Sequence, residues 1–186
     1  MTFNHAINYV VNHPIKNANA AANNKALFLD RDGVVNINHD YVYKIADFDF
    51  IPEVFEVCRA AIAKNYQIFI VTNQSGIGRG FYSEEDFGIL TEWMNAEFLA
   101  RGIVIQKVYF CPHHPTQAQG VYLKDCECRK PKEGMLLAAI NEFAIDPAQS
   151  LMLGDSQTDI QAAAAAGVKA IFIQSPADYH AAIAAL

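Results

Sequence analysis

Two aspartates, Asp30 and Asp32, stand one residue apart in "DRDGVVN", directly after the apolar run "ALFL" at 26–29. From a strand end both can turn into one pocket. Asp155 and Asp159, in "GDSQTD", follow a second apolar run and lie four apart across what reads as a helix start. Four carboxylates converging on one place repel one another unless a cation sits among them. Oxygen donors of this kind suit a hard ion such as Mg2+, which takes few protein carboxylates and keeps positions for phosphate and water. A single Asp at a strand end is more often a turn or cap residue; the set of four is what points to a site. Thr72, opening "TNQSGIGRG", brings a hydroxyl to a third strand end, and the backbone N–H groups of 73–76 can hold phosphate oxygens. Gly76, Gly78 and Gly80 are spaced like a flexible loop, and the G-x-x-x-x-G-K-[ST] pattern of a P-loop is absent.

A second cluster is rich in thiols. Cys111 and His113 stand in "CPHHP", Cys126 and Cys128 in "CECRKPK". Three sulfurs and one imidazole complete a tetrahedral Zn2+ with no open position, the structural kind of site. With no C-x-x-C present, a redox pair is the weaker reading. On spacing alone either His113 or His114 serves as the fourth ligand. Cys58 sits on an apolar helix face and reads as core. Arg129 and Lys130 follow the second thiol pair without a gap, while Lys132 is expected in solvent.

These residues need elements to hold them. "ALFL", "IFIV" (68–71), "VYF" (108–110), "LML" (151–153) and "AIFI" (170–173) have the length and apolar continuity of parallel strands covered on both faces. Between them, 54–64 carries an i, i+3, i+4, i+7 apolar face. Ser83 with three following acids opens another helix, closed by Gly102. Helices over 135–143 and 160–166 follow, the latter stopped by Gly167, and Ser175-Pro176 caps a last one. The alternation predicts an α/β fold, a doubly wound, Rossmann-like parallel sheet, whose ligands bind beyond the carboxyl ends of the strands. Residues 1–24, rich in Asn and Ala, read as a loosely ordered arm before a single domain at 25–186.

Composition narrows the function. At 186 residues and 52% hydrophobic, the chain suffices for one sizeable core. A net charge of −6 and a pI near 5.4 exclude a basic nucleic-acid face. No apolar run reaches the roughly 20 residues of a membrane span, and the N-terminus lacks the basic and apolar regions of a leader. A cytosolic chain is expected, in which clustered cysteines stay reduced and ligate metal.

In their order and placing, these motifs resemble those of the haloacid dehalogenase-type phosphatases, over about 25–173. "FLDRDGVV" matches motif I, Thr72 motif II, Lys130 motif III and "GDSQTD" motif IV. The resemblance implies a Mg2+-dependent phosphoric monoester hydrolase. Asp30 would be the nucleophile that forms an aspartyl-phosphate. Asp32 would protonate the leaving oxygen and then deprotonate water, with a neighbouring carboxylate and partial burial raising its proton affinity. Asp30, the Asp32 main-chain carbonyl and Asp155 would hold Mg2+, with Asp159 outside that set, and Thr72 and Lys130 would bind the phosphoryl group.

Within that superfamily, "NHDYV", "TNQSGIGRG", "LTEWM", "CPHHP" and "CECRKPKEGML" resemble the heptose-bisphosphate phosphatases. That likeness implies loss of the 7-phosphate of D-glycero-D-manno-heptose 1,7-bisphosphate, a step toward the activated heptose of lipopolysaccharide core. It selects His113 over His114 for zinc and sets Arg129 on the remote phosphate. Asn38, His39, Asp40, Tyr41, Asn73, Gln74 and Ser75 would line the sugar site. The segments between motifs are too short for a folded cap, so a capless monomer with a zinc-stapled loop is expected. One departure stands out: the family often carries Lys after the motif IV Asp, and here the residue is Ser156. Three other readings compete with this one. A histidinol-phosphate phosphatase shares the zinc loop but fits "NHDYV" less well. A phospho-acceptor signalling domain would need its acceptor Asp after the middle strand, where this chain has Cys111. A non-catalytic zinc module does not need a full set of catalytic residues.

Overall fold

The computed structural model of the chain describes residues 24–186. The reading of residues 1–23 as an arm lies outside the described residues. Asn24, which the sequence reading put in that arm, is instead docked: its amide donates to the Phe143 carbonyl at 3.1 Å, and its own carbonyl accepts from the Asp146 N–H at 2.7 Å.

Five strands form one parallel sheet: β1 (Lys25–Leu29), β2 (Tyr66–Asn73), β3 (Ile105–Cys111), β4 (Leu151–Gly154) and β5 (Lys169–Phe172), in the order β3-β2-β1-β4-β5. Side chains alternate between faces along a strand. Leu27, Leu29, Ile68, Ile70, Val108, Phe110, Leu151 and Leu153 therefore enter one core, and Ala26, Phe28, Phe69, Val71, Tyr109, Cys111 and Met152 the other. Both faces are apolar, so both must be covered. Helices α1 (Glu53–Ala63), α3 (Glu84–Ala100) and α6 (Pro176–Ala185) cover the first; α4 (Gly134–Phe143) and α5 (Gln157–Ala165) cover the second. Each fully buried Leu, Ile or Phe contributes roughly 1.5–3 kcal/mol, well above any single helix propensity, so packing on the sheet carries the fold.

The doubly wound order follows from right-handed crossovers. The chain runs outward from β1 to β3 with helices on one face, then returns across the sheet through α4 to β4 and β5 on the other. Direction reverses at β1 and β4, and a crevice opens beyond their carboxyl ends. No separate folded unit is inserted between strands among the described residues.

Local signals work as expected in several places. Ser83 accepts from the Asp86 N–H at 3.0 Å while Asp86 returns a bond to the Ser83 N–H, a reciprocal cap on α3. Gly102 and Gly167 take φ near +74° just past their helices. "SGIGR" departs from expectation. Residues Ser75–Arg79 form a short helix, α2, and its glycines mark close packing rather than a flexible loop. A Cβ on Gly76 would lie 2.2 Å from the Tyr82 ring, and one on Gly78 would lie 2.4 Å from the Pro112 carbonyl oxygen.

Candidate active site

Beyond the strand ends lies a cleft of about 270 Å³, walled by Asp30, Asp32, Asn38, Asp40, Tyr41, Thr72, Asn73, Gln74, Ser75, Lys130 and Asp155, with Tyr82, Ser156, Thr158 and Asp159 added. Each strand delivers its part. Asp30 is fixed where β1 ends, its N–H bonded to the Leu153 carbonyl of β4 at 2.9 Å. Asp155 follows β4 and reaches across to Gly33, whose φ of +92° and missing side chain admit it; a Cβ there would sit 1.9 Å from the Asp155 carboxylate.

Lys130 is the hub. Its ammonium lies 2.8 Å from Asp30 Oδ1, 2.6 Å from Asp159 Oδ1 and 2.8 Å from the Val71 carbonyl, three acceptors for three donors. Its backbone is held too. The Asn73 amide donates to the Lys130 carbonyl and accepts from the Lys130 N–H, both at 3.1 Å. Asp159 is fully buried and divided between two tasks: Oδ1 meets Lys130, and Oδ2 accepts from the Ser156 N–H at 3.0 Å and hydroxyl at 2.7 Å, capping α5.

The charge here does not balance. Burial is the main force pushing Asp30 up to about 7; Lys130 opposes it and Asp159 and Asp32 reinforce it. Burial and Asp159 likewise raise Asp155. Burial alone would pull the Lys130 ammonium down, but Asp30 and Asp159 outweigh it and hold it above the ordinary lysine value. Carboxylate oxygens of Asp30, Asp155 and Asp159 approach within 4.8 Å of one another. One ammonium among three such acids leaves room and charge for a divalent cation, and the all-oxygen donor set fits Mg2+.

Asp32 sits differently. The sequence reading sets a neighbouring carboxylate beside it; the groups that touch its oxygens are donors. Arg31 reaches it through Nε at 3.2 Å and Nη2 at 2.9 Å, Asn36 at 3.1 Å and Gln74 at 2.9 Å. Arg31, the unremarked middle residue of D-x-D, is almost wholly buried and also bonds the Val42 carbonyl at 2.7 Å. No local signal marks that role, because its partners are set by the loop that returns at Val42.

His39 and Arg129 stand outside this lining. His39 pairs with Asp49 at 2.9 Å, and Arg129 donates to the His113 carbonyl at 3.1 Å. Lys132, expected in solvent, lies at the surface, where it bridges the exposed Asp125 at 2.8 Å and Glu127 at 3.1 Å on the same loop.

The thiol cluster assembles at the end of β3. Cys111, Cys126 and Cys128 place their sulfurs 3.1–3.4 Å apart, too far for disulfides, and all remain free. His113 Nδ1 lies 3.6 Å from Cys111 Sγ and 3.5 Å from Cys128 Sγ. His114 turns away and accepts from the Thr116 and Gln117 N–H groups. A tetrahedron with Zn–S near 2.3 Å has edges of about 3.8 Å, so four soft donors at these separations fit zinc. Within the cluster the contact between Cys111 and Cys128 holds the Cys128 thiol down at about 5 and pushes Cys111 up.

Comparison with known proteins gives these features a setting. Residues 127–184 match the family described as HAD-hydrolase-like. A D-glycero-alpha-D-manno-heptose-1,7-bisphosphate 7-phosphatase of Campylobacter jejuni is 54% identical over 138 residues, 74% of this chain and 75% of that protein. The beta-anomer enzyme of Haemophilus influenzae is 49% identical over 146 residues, covering 78% and 79%. Among solved structures, a D,D-heptose 1,7-bisphosphate phosphatase from B. bronchiseptica, complexed with magnesium and phosphate, superposes with a TM-score of 0.73 at 29% identity over 86% of each chain. A HAD-like phosphatase from Mesorhizobium loti gives 0.81 at 27% identity over 89% and 87%. At half-identity over three quarters of both lengths, the chain belongs to the haloacid dehalogenase-like hydrolases, in one family with these heptose-bisphosphate phosphatases.

Proposed function

We propose that the chain removes the 7-phosphate of D-glycero-D-manno-heptose 1,7-bisphosphate through an aspartyl-phosphate on Asp30. The observation that carries this is the meeting of Asp30, Thr72, Lys130 and Asp155 at three strand ends, in a chain about half identical to enzymes of that name. An Asp30 oxygen attacks phosphorus and the P–O bond to the sugar breaks, Asp32 giving its proton to the departing oxygen. A water then loses a proton to Asp32 and attacks phosphorus, freeing phosphate and the Asp30 carboxylate. Lys130 and Thr72 hold the phosphoryl oxygens, and Asn73 fixes the backbone from which Lys130 reaches them.

Asp30, the Asp32 carbonyl and Asp155 would hold Mg2+, with Asp159 left to Lys130 and the α5 cap. When bound, the ion supplies the positive charge that keeps Asp30 ionised and screens its approach to an anionic phosphate. Cys111, His113, Cys126 and Cys128 would hold a structural Zn2+ that sets the loop carrying Arg129 and Lys130, with Arg129 free to swing to the remote phosphate. Asn38, Asp40, Tyr41 and Ser75 line the sugar side. The site is built from one chain, which suits a monomer working in the cytosol, where these thiols stay reduced.

Phosphate release is to be measured on both anomers of the heptose bisphosphate and on histidinol phosphate, with and without Mg2+. Mg2+-dependent turnover of the bisphosphate, lost by at least about a thousandfold in Asp30→Asn, is the expected result. Preference for histidinol phosphate would overturn the substrate, and undiminished release by Asp30→Asn would overturn the mechanism.

A further inference from the structure

Gln74 looks from sequence like a sugar contact, yet its side chain is turned to protein partners. It is 2% exposed, and both N–H donors and one of the two oxygen lone pairs are used: Nε2 donates to Asp32 Oδ2 at 2.9 Å and to Thr72 Oγ1 at 2.8 Å, and Oε1 accepts the Tyr82 hydroxyl at 2.6 Å. One flat group thus spans the two residues that handle the leaving oxygen and the phosphoryl oxygens. Its backbone is pinned as well, the Gln74 N–H bonding the Cys111 carbonyl at 2.8 Å.

Asp32 fixes which way that amide faces, and Tyr82 anchors its far end by donating to Oε1. Turned over, Gln74 would present Oε1 to Asp32 Oδ2, acceptor against acceptor. Tyr82 is itself closely packed. Its ring stacks on Tyr43 with centroids 5.0 Å apart and planes 7° from parallel, and it fills the space that a side chain on Gly76 would need. The hydroxyl has no other partner among the described contacts and points inward, from a residue 7% exposed.

We propose that Tyr82 and Gln74 form a positioning relay, Tyr82 O–H to Gln74 amide to Asp32 and Thr72, that aims the Asp32 carboxyl at the leaving sugar oxygen. Tyr82 touches no reacting atom and acts through Gln74. This rests on the role of Asp32 as general acid, and it explains why Gly76 must lack a side chain: the relay's tyrosine occupies that volume.

The leaving group provides the test. A sugar alkoxide is strongly basic and needs a proton as it departs, whereas p-nitrophenolate leaves without one. Tyr82→Phe deletes one oxygen and keeps the ring. For a sugar phosphate, kcat/KM, which reports formation of the aspartyl-phosphate and not its later hydrolysis, is expected to fall about tenfold, part of the hundredfold or more that a general acid contributes. With p-nitrophenyl phosphate kcat/KM should stay within about twofold. In an Asp32→Asn background the same change should cost nothing further, because both substitutions remove one function. Equal losses on the two esters, no loss on the sugar phosphate, or full additivity with Asp32→Asn would each overturn the relay. Any sugar phosphate that the wild type hydrolyses serves as substrate, so failure on heptose bisphosphate alone would sink the substrate assignment and leave this result readable.

Discussion

With burial holding Asp30 near 7 and Asp155 raised beside it, the acidic site is short of positive charge despite the Lys130 ammonium at 2.8 Å. That shortage has a sign. A folded-state value above the ordinary carboxylate value means that the native protein holds a proton the unfolded chain releases between about pH 4 and 7. Stability from this source is present at the low end of that window and lost as pH rises through 7. Zinc-loaded protein without added magnesium should therefore melt about 5 °C lower at pH 8 than at pH 5.5, and millimolar Mg2+ should flatten the difference. A melting temperature that climbs over that interval would contradict the site's charge state. At this scale the residues that meet in the cleft were legible: Asp30, Asp32, Thr72 and Asp155 follow apolar runs where nothing but a site needs them together, and Lys130 came through the motif resemblance. Arg31, Asn73 and Gln74 were not read for what they hold. Asn73 grips a backbone 57 positions away, and no local pattern announces such a partner.

The short helix α2 separates two physical meanings of glycine. If Gly78 served flexibility, Gly78→Ala would stabilise the chain, because Ala exceeds Gly in a helix by about 1 kcal/mol. The structure sets its Cα against the Pro112 carbonyl, with Ala118 and Tyr122 also near. Gly78→Ala is therefore expected to destabilise by about 1–3 kcal/mol, as overpacking does, which denaturant unfolding will measure. All five strands were visible from apolar runs, each observed within two residues of its expected ends except β3, which starts three residues earlier. Strand order was not visible, because it depends on which way each crossover turns. Nor was α2, since three glycines in "SGIGRG" outvote helix propensity until Tyr82 and Pro112 are in place.

Across the molecule, the loop between β3 and α4 has a single 3-10 turn, Gly120–Tyr122, and packs by few backbone bonds of its own. The Cys/His cluster ties its two ends to the strand that also pins Gln74. A strong chelator should remove about one zinc per chain, lower the melting temperature, and open residues 112–133 to protease. Activity should return with zinc and not with magnesium alone; full activity in the zinc-free protein would refute the staple. Ser156 bears on how the molecule lets go of what it makes. Its hydroxyl and N–H are committed to Asp159 at the start of α5, where many relatives by resemblance would carry a lysine. Among the residues lining the cleft, Lys130 is then the buried cation left to detain an inorganic phosphate. Ser156→Lys should tighten product inhibition by phosphate about fivefold and cost about 1 kcal/mol of helix cap, slowing turnover when phosphate accumulates. On that outcome the native serine favours departure over grip, and the enzyme would keep working in its own product.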